Sequence, residues 1–289
     1  MTSAVEIATV LGLRRTGLTY TGACPSCGYP SAFSVQDKGD RTLFCCHAGG
    51  CTQTELASAL QAGGLWGIKA EWAPPPPPHQ TRKSADVADK TARALAIWRQ
   101  TIPAPGTLVD RYLRARGIAG PIPPTLRYAA SLKHSETGLD LPGMVAAVAV
   151  WPSKAPVAVH RTFLTATCTK KATVATPKKS LGPLKGGAVR LAAAGQVLIV
   201  GEGIESTLSA MQASGLPGWA ALSTGGLRSL ILPDTVREVI IAADHDANGA
   251  GQAAAHAAAE CWHDEGRAVR IALPPDADTD FNDLISKVV

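Results

Sequence analysis

The acids between Glu202 and Val289 suggest chemistry by their placement. Glu202 lies inside Gly201-Glu202-Gly203, directly after the apolar run Val197-Leu198-Ile199-Val200. Asp244 and Asp246 flank His245 directly after Val239-Ile240-Ile241-Ala242-Ala243, and Asp278-Thr279-Asp280-Phe281-Asn282-Asp283 follows the run Val269 to Leu273. If these runs are parallel strands, every cluster stands at a strand's carboxyl end, where open α/β sheets hold their ligands. Carboxylates gathered on one edge raise one another's pKa unless a cation neutralises them. Mg²⁺ takes a few carboxylates together with water and substrate phosphates. The pattern therefore suits metal-assisted phosphoryl or nucleotidyl transfer, with metal stabilising the attacking and leaving oxygens. The plain alternative is an acidic rim that serves solubility, which would make Gly-Glu-Gly and Asp-x-Asp behind two separate strands a coincidence.

A second constellation opens the chain. Five of the seven cysteines lie between Cys24 and Cys51. Cys24-Pro25-Ser26-Cys27 is a CxxC, and Cys45-Cys46-His47 with Cys51 supplies the second ligand pair across a hairpin-length insert. This is the spacing of a zinc ribbon, whose thiolates close a tetrahedron around Zn²⁺. The expected ligands are Cys24, Cys27, Cys46 and Cys51, with Cys45 or His47 as alternatives to Cys46. A site filled by four protein ligands is structural, so it should position another surface. Candidates are a partner protein or nucleic acid read by a hairpin face carrying Tyr29, Lys38 and Arg41. Cys168 and Cys261 stand alone and read as core residues. An odd cysteine count and a local cluster fit a metal site in a cytoplasmic protein better than a disulfide framework.

The elements that must hold these groups in place can be read from periodicity. Ala32 to Val35 and Thr42 to Phe44 alternate as two strands, and Ala73 to Gln80, with five consecutive prolines, is a stiff extended linker. Apolar residues from Ser84 to Gln100 recur at helical spacing with Ser84 as N-cap, and a second helix over Leu108–Arg116 stops at Gly117. Met144 to Trp151 and Val157 to Leu164 predict strands. From Gln196 onward the pattern alternates: strand, helix Glu205–Ser214, strand Trp219–Leu222, strand Val239–Ala243, helix Gly251–Glu265 and strand Val269–Leu273. Continuous apolar strands separated by helices imply a mostly parallel sheet buried on both faces.

Composition agrees with a folded chain of roughly two domains at about 100–200 residues each. The 289 residues are 46% hydrophobic and 18% charged. No run approaches the ~18 apolar residues of a membrane span, and the start lacks a signal peptide's pattern. The net charge of +5 hides an asymmetry: Leu141 to Gly201 holds eight Lys/Arg and no acid, whereas Glu202 to Val289 is a local −8. A basic block beside an acidic one suits a protein that holds a polyanion on one surface and divalent cations on the other. Two ordinary solvated faces would give the same sums.

Three motifs in order carry a family resemblance. Val200-Gly201-Glu202-Gly203-Ile204-Glu205-Ser206, Ala243-Asp244-His245-Asp246-Ala247-Asn248-Gly249-Ala250-Gly251 and Asp280-Phe281-Asn282-Asp283 resemble the Toprim domain of bacterial-type primases and topoisomerases. With a zinc ribbon ahead of it, the order resembles a phage- or plasmid-type primase without a fused helicase. His160-Arg161-Thr162-Phe163 and Pro177 to Gly187 look like the basic strands of a primase core. The resemblance implies an α+β multidomain chain: zinc ribbon 1–67, proline-rich linker 68–84, mixed α+β basic core 85–195 and an α/β Toprim domain 196–289 with a Rossmann-like parallel sheet. It implies Glu202, Asp244 and Asp246 as catalytic acids binding Mg²⁺ or Mn²⁺, with Asp280 and Asp283 completing the metal rim. It implies phosphate contacts from Arg161, Lys178, Lys179 and Lys185, which the local basic excess also suggests. Glu205 sits one residue earlier than the acid of the usual primase motif, and His245 is expected to shape its loop.

The expected function is a primase working on single-stranded DNA with nucleoside triphosphates, with a replicative helicase as a partner in trans, and no membrane. A Toprim nuclease would use the same acids to activate water. A non-catalytic nucleic-acid-binding protein of a mobile element would need none of them.

Overall fold

The computed structural model describes residues 3–39, 41–47, 51–66, 80–167, 169–245 and 249–286. Asp246, Cys168 and linker residues 68–79 lie outside the described residues, whereas residues 80–84 are helical. The chain divides into two compact units, Met1–Pro78 and His79–Val289.

In the first unit, helix α1 (Ala4–Leu11) starts at a Ser3–Glu6 capping box and ends at Gly12, whose φ of 62° favours glycine. Strands β1 (Arg14–Thr16), β2 (Thr19–Gly22), β3 (Phe33–Lys38) and β4 (Arg41–Cys46) form an antiparallel sheet in that order. Helix α2 (Gln53–Ala62) follows, entered through a second capping box of Thr52 and Glu55. Alternation turns Phe33 and Val35 inward against Ile7, Leu56 and Leu60. Cys24 and Cys46 belong to the same small core.

The second unit is built on one ten-stranded sheet. It begins with helix α3 (Gln80–Arg99), strand β5 (Ile102–Pro103) and helix α4 (Leu108–Ala115). Strands β6 (Leu126–Lys133), β7 (Asp140–Val150), β8 (Ala158–Phe163), β9 (Lys178–Leu181) and β10 (Gly187–Arg190) form its antiparallel part. Met144, Ala146 and Val148 of β7 face α4, whereas Val145 faces α3 with Val159 and Phe163. With both faces covered, β7 reads as a continuous apolar run rather than an alternating one.

The parallel part comprises β11 (Val197–Gly201), β12 (Gly218–Ala220), β13 (Glu238–Ala242) and β14 (Ala268–Ala272), in the order β14-β13-β11-β12. Helix α5 (Ile204–Ser214) covers one face, while α6 (Thr224–Ser229) and α7 (Ala250–Asp264) lie on the other, around Leu227, Ala254, Ala258 and Trp262. The chain reverses direction across the sheet at β11 and β13, so a topological switch point lies between them. A short helix α8 (Phe281–Ser286) packs on α5. No helix among the described residues is long and apolar enough to cross a membrane.

Two local expectations need correction. Helix α3 begins at Gln80, so Ser84 is inside it rather than capping it. Periodicity marks only the turns that bury a face, and Gln80 to Lys83 hold no helix breaker that would stop an extension. Cys261 is exposed on α7, because helical spacing turns Ala254, Ala255, Ala258 and Trp262 inward and leaves position 261 outside. Strand β6 escaped the alternation rule since its register shifts between Ala129 and Leu132, which breaks the period of two.

Candidate active site

The cysteine cluster is assembled by two local devices. Gly28 N–H donates to Cys24 O at 2.8 Å and Cys24 N–H to Tyr29 O at 3.0 Å, forming the CxxC knuckle, with Gly28 at φ 70°. Pairing of β3 with β4 sets Cys46 opposite the inward Phe33 and Cys45 opposite the outward Ser34. Consequently Cys46 joins Cys24, Cys27 and Cys51, whose sulfurs all lie within 4.8 Å of one another. Cys45 is left exposed, and the His47 ring bonds Ser34 Oγ at 2.8 Å. Cys24 Sγ–Cys51 Sγ and Cys27 Sγ–Cys46 Sγ are both 3.8 Å. Four sulfurs at about 2.3 Å from a tetrahedral Zn²⁺ stand about 3.8 Å apart, so the donor set and its spacing fit structural zinc. The backbone at Tyr29 and the neighbouring thiols lower Cys27 to about 7, while burial raises Cys24.

Two of the expected acids leave the sheet at the switch point. Gly201 of β11 pairs with Ala242 of β13, so Glu202 and Asp244 leave the carboxyl ends of adjacent parallel strands. Gly201 is required by a close approach, since a Cβ there would sit 2.5 Å from Thr207 Oγ1 in the first turn of α5. Leu222 N–H donates to Glu202 O at 2.9 Å from a left-handed backbone, φ 72°, an uncommon conformation for leucine. The Asp244 loop is tied to the third cluster: His245 N–H donates to Thr279 O at 3.1 Å, Asp278 N–H to His245 O at 2.7 Å, and His245 Nδ1 to Pro274 O at 2.9 Å. His245 thus shapes the loop.

Asp280 and Asp283 form a reciprocal cap on α8. Asp280 Oδ1 accepts from Asn282 N–H at 2.7 Å and Asp283 N–H at 3.0 Å, and Asp283 Oδ2 accepts from Asp280 N–H at 3.0 Å. Asn282 Nδ2 donates to Arg116 O at 2.7 Å and to Ser209 Oγ at 3.0 Å, fixing this cap to α4 and α5. Glu202 and Asp244 are hard oxygen donors, a set suited to Mg²⁺. Asp246, the remaining expected acid, lies outside the described residues.

Glu205 has a different setting. Its carboxylate is buried, 3% exposed, and accepts the Tyr112 hydroxyl at 2.6 Å. Lys171 Nζ lies 3.3 Å from Oε1 and Lys178 Nζ 3.6 Å from Oε2. Burial alone would raise this carboxyl's pKa, but Lys178, Lys171 and Tyr112 outweigh it and hold the group well below the usual carboxylate range. His160 borders the network and bonds Ser180 at 2.9 Å; burial, reinforced by Lys178, lowers its pKa to about 4, so it is neutral. Tyr112 and Lys171 gave no individual sequence signal, because Tyr112 is 93 residues from its carboxylate partner.

The four expected phosphate contacts do not form one cluster. Lys178 pairs with Thr162 and Lys179 with Arg161 across β8 and β9, so the two lysines emerge on opposite faces. Lys178 faces Glu205, whereas Lys179 and Arg161 face α3. Lys185 is exposed in the β9–β10 connection.

Comparison with known proteins adds two family models. A domain of unknown function, DUF7146, matches residues 88–191, and the Toprim domain matches residues 197–288. No curated protein matches the chain. Among solved structures, the DnaG primase catalytic domain bound to ssDNA is similar at 14% identity over 72% of this chain and 79% of that one, with a TM-score of 0.47. The Aquifex aeolicus primase zinc-binding and RNA polymerase domains are 15% identical over 99% and 80%, with a TM-score of 0.42. The primase fragment of the bacteriophage T7 primase-helicase protein is 15% identical over 91% and 92%, with a TM-score of 0.41.

Proposed function

Proceeding from a C-terminal Toprim domain behind a four-cysteine zinc-binding site, we propose that this chain is a DNA primase. It joins nucleoside triphosphates into short primers on single-stranded DNA by metal-dependent nucleotidyl transfer. The observation that carries this reading is the meeting of Glu202 and Asp244 at adjacent strand ends within the Toprim match. Mg²⁺ or Mn²⁺, when bound by Glu202, Asp244 and Asp246, supplies charge neutralisation for the reacting oxygens. Glu202 stands either as a metal ligand or as the base that takes the 3′-hydroxyl proton. Asp280 and Asp283 support the metal rim from the cap of α8. Arg161, Lys178, Lys179 and Lys185 hold template or nucleotide phosphates. The protein's contribution is mainly positioning and fixed charge.

Zinc on Cys24, Cys27, Cys46 and Cys51 keeps the ribbon folded for template contact. The same reading divides the chain into ribbon 1–67, linker 68–84, core 85–195 and Toprim domain 196–289. It places the protein in the cytoplasm with a helicase partner in trans.

The test is incubation with single-stranded DNA, labelled nucleoside triphosphates and Mg²⁺ or Mn²⁺, beside Asp244→Asn, with products resolved on a sequencing gel. Short products made by the wild type and lost at least about 10²-fold in the variant are expected, the scale seen when one electrostatic stabiliser is removed. A shortened template would assign a nuclease instead. Binding without either product would assign a non-catalytic role.

A further inference from the structure

We infer that the face of the central sheet turned toward α3 carries a second phosphate-binding pocket, reached by a single DNA strand that crosses the edge strand β9. This deepens the template binding proposed above and rests on it.

Four cations from four elements meet at this pocket: Arg93 of α3, Lys133 of β6, Arg161 of β8 and Lys179 of β9. They line a cleft of about 660 Å³ on the face opposite Lys178 and Glu205. Three have acidic neighbours. Arg93 lies 3.5 Å from Asp89, Lys133 3.6 Å from Asp140, and Lys179 2.7 Å from Glu136, with Ser135 Oγ at 2.8 Å. All three acids are more than half exposed; the Arg93 and Lys133 pairs are exposed on both sides and therefore weak, whereas Lys179 is largely buried and held more firmly. An incoming phosphate can therefore displace Asp89 from Arg93 and Asp140 from Lys133 at little cost.

Arg161 has no acid partner among the described residues. Its guanidinium lies 5.8 Å from the Phe163 ring, and its buried Nε has no hydrogen-bond partner. Burial and nearby Arg93 both disfavour its charge, a penalty that an anion would relieve.

The topology favours a strand over a free nucleotide. Among the described residues β9 pairs with β8 alone, so it is a sheet edge. Lysines on an edge also guard against unwanted pairing. That role does not explain Arg93, Lys133 or Arg161, which come from other elements. Nor does the cleft offer a surface for stacking a base: Phe163 is fully buried beneath Arg161, and the apolar lining is Ala96, Ile97 and Leu181. Phosphate contacts without base contacts position a strand without reading its sequence. Because Lys178 and Lys179 are consecutive, a polymer passing over β9 meets a cation on each face.

The experiment is fluorescence anisotropy of a labelled oligothymidylate with the full chain, repeated across about 50 to 200 mM salt. Arg93→Gln/Lys133→Gln is the informative variant, since both side chains are about two-thirds exposed and their loss should leave the fold intact. Its strand binding should weaken, and the slope of log affinity against log salt should become shallower by about 1.4, the value for two lost phosphate contacts. Unchanged affinity and slope would overturn the pocket, as would a wild type that binds no strand. Loss of nucleoside triphosphate binding with strand binding kept would overturn it in favour of a nucleotide site. Wild-type strand binding with the expected slope change, but without primer synthesis, would support the pocket while removing the priming function.

Discussion

Glu205 shows how a residue inside a functional motif can serve packing. It follows Glu202 by one helical turn's start, yet its carboxylate points into protein and holds Tyr112, Lys171 and Lys178. Removing one member of a buried ionic group is costly because the others stay desolvated. Glu205→Gln should destabilise by about 3 kcal/mol, the low end for a broken buried pair, since both lysines keep a water-facing side. Tyr112→Phe should cost about 1 to 3 kcal/mol by leaving the carboxylate short of a donor. Denaturant midpoints at pH 7 check both. The sign with pH is fixed too: a carboxyl depressed in the folded state contributes above its unfolded pKa and loses that contribution as pH falls. The wild-type advantage over Glu205→Gln should therefore shrink below about pH 4.5.

At the scale of elements, strands decide the chemistry by alternation. In β4, adjacent Cys45 and Cys46 face opposite ways, and only Cys46 enters the four-sulfur group. In β9, adjacent Lys178 and Lys179 separate onto two faces for the same reason. The four-stranded unit has a core of few large side chains, Ile7, Phe33, Leu56 and Leu60 among them, and two of its cysteines belong to that core. Small units of this kind depend on metal for folding energy. Chelation should unfold it. Circular dichroism of the zinc-loaded chain should lose part of its strand signal on adding a strong chelator and regain it with Zn²⁺. A signal indifferent to chelator would show that the sheet needs no metal.

For the larger unit, the decisive feature is the seam within its sheet. Parallel β12 and antiparallel β10 meet through the pairs Val189–Ala220 and Arg190–Trp219, and Leu191 N–H donates to Gly218 O at 3.1 Å. Arg190 lies between two indoles, 5.4 Å from Trp151 and 4.8 Å from Trp219, while Trp219 Nε1 donates to Ala192 O at 3.0 Å. Ala188 of β10 packs in the same core cluster as Leu198, Trp219 and Trp262, so burial continues across the junction. Residues 79–289 should therefore unfold in a single calorimetric transition. Trp219→Ala should lower that transition as a whole, at a cost of about 3–5 kcal/mol, rather than split it. Two resolved transitions in the wild type would show that the seam does not couple its sides.

Local features were legible in the order of the residues. Apolar runs and helical periods marked β11, β13, α5 and α7 to within a residue or two, and glycines marked several of their ends. Two cysteine pairs at ribbon spacing mark the four-sulfur group, and the acids directly behind apolar strands are an equally local pattern. These features were legible because they depend on neighbours in the chain. What depends on distant residues emerges only on packing: the adjacency of β11 and β13, the choice of Cys46 over Cys45 and His47, and Tyr112 as the partner of Glu205. The same holds for which face of β9 meets α5 and which meets α3. Alternation requires consecutive lysines to part, but only the burial of both faces of the central sheet fixes what each one finds there.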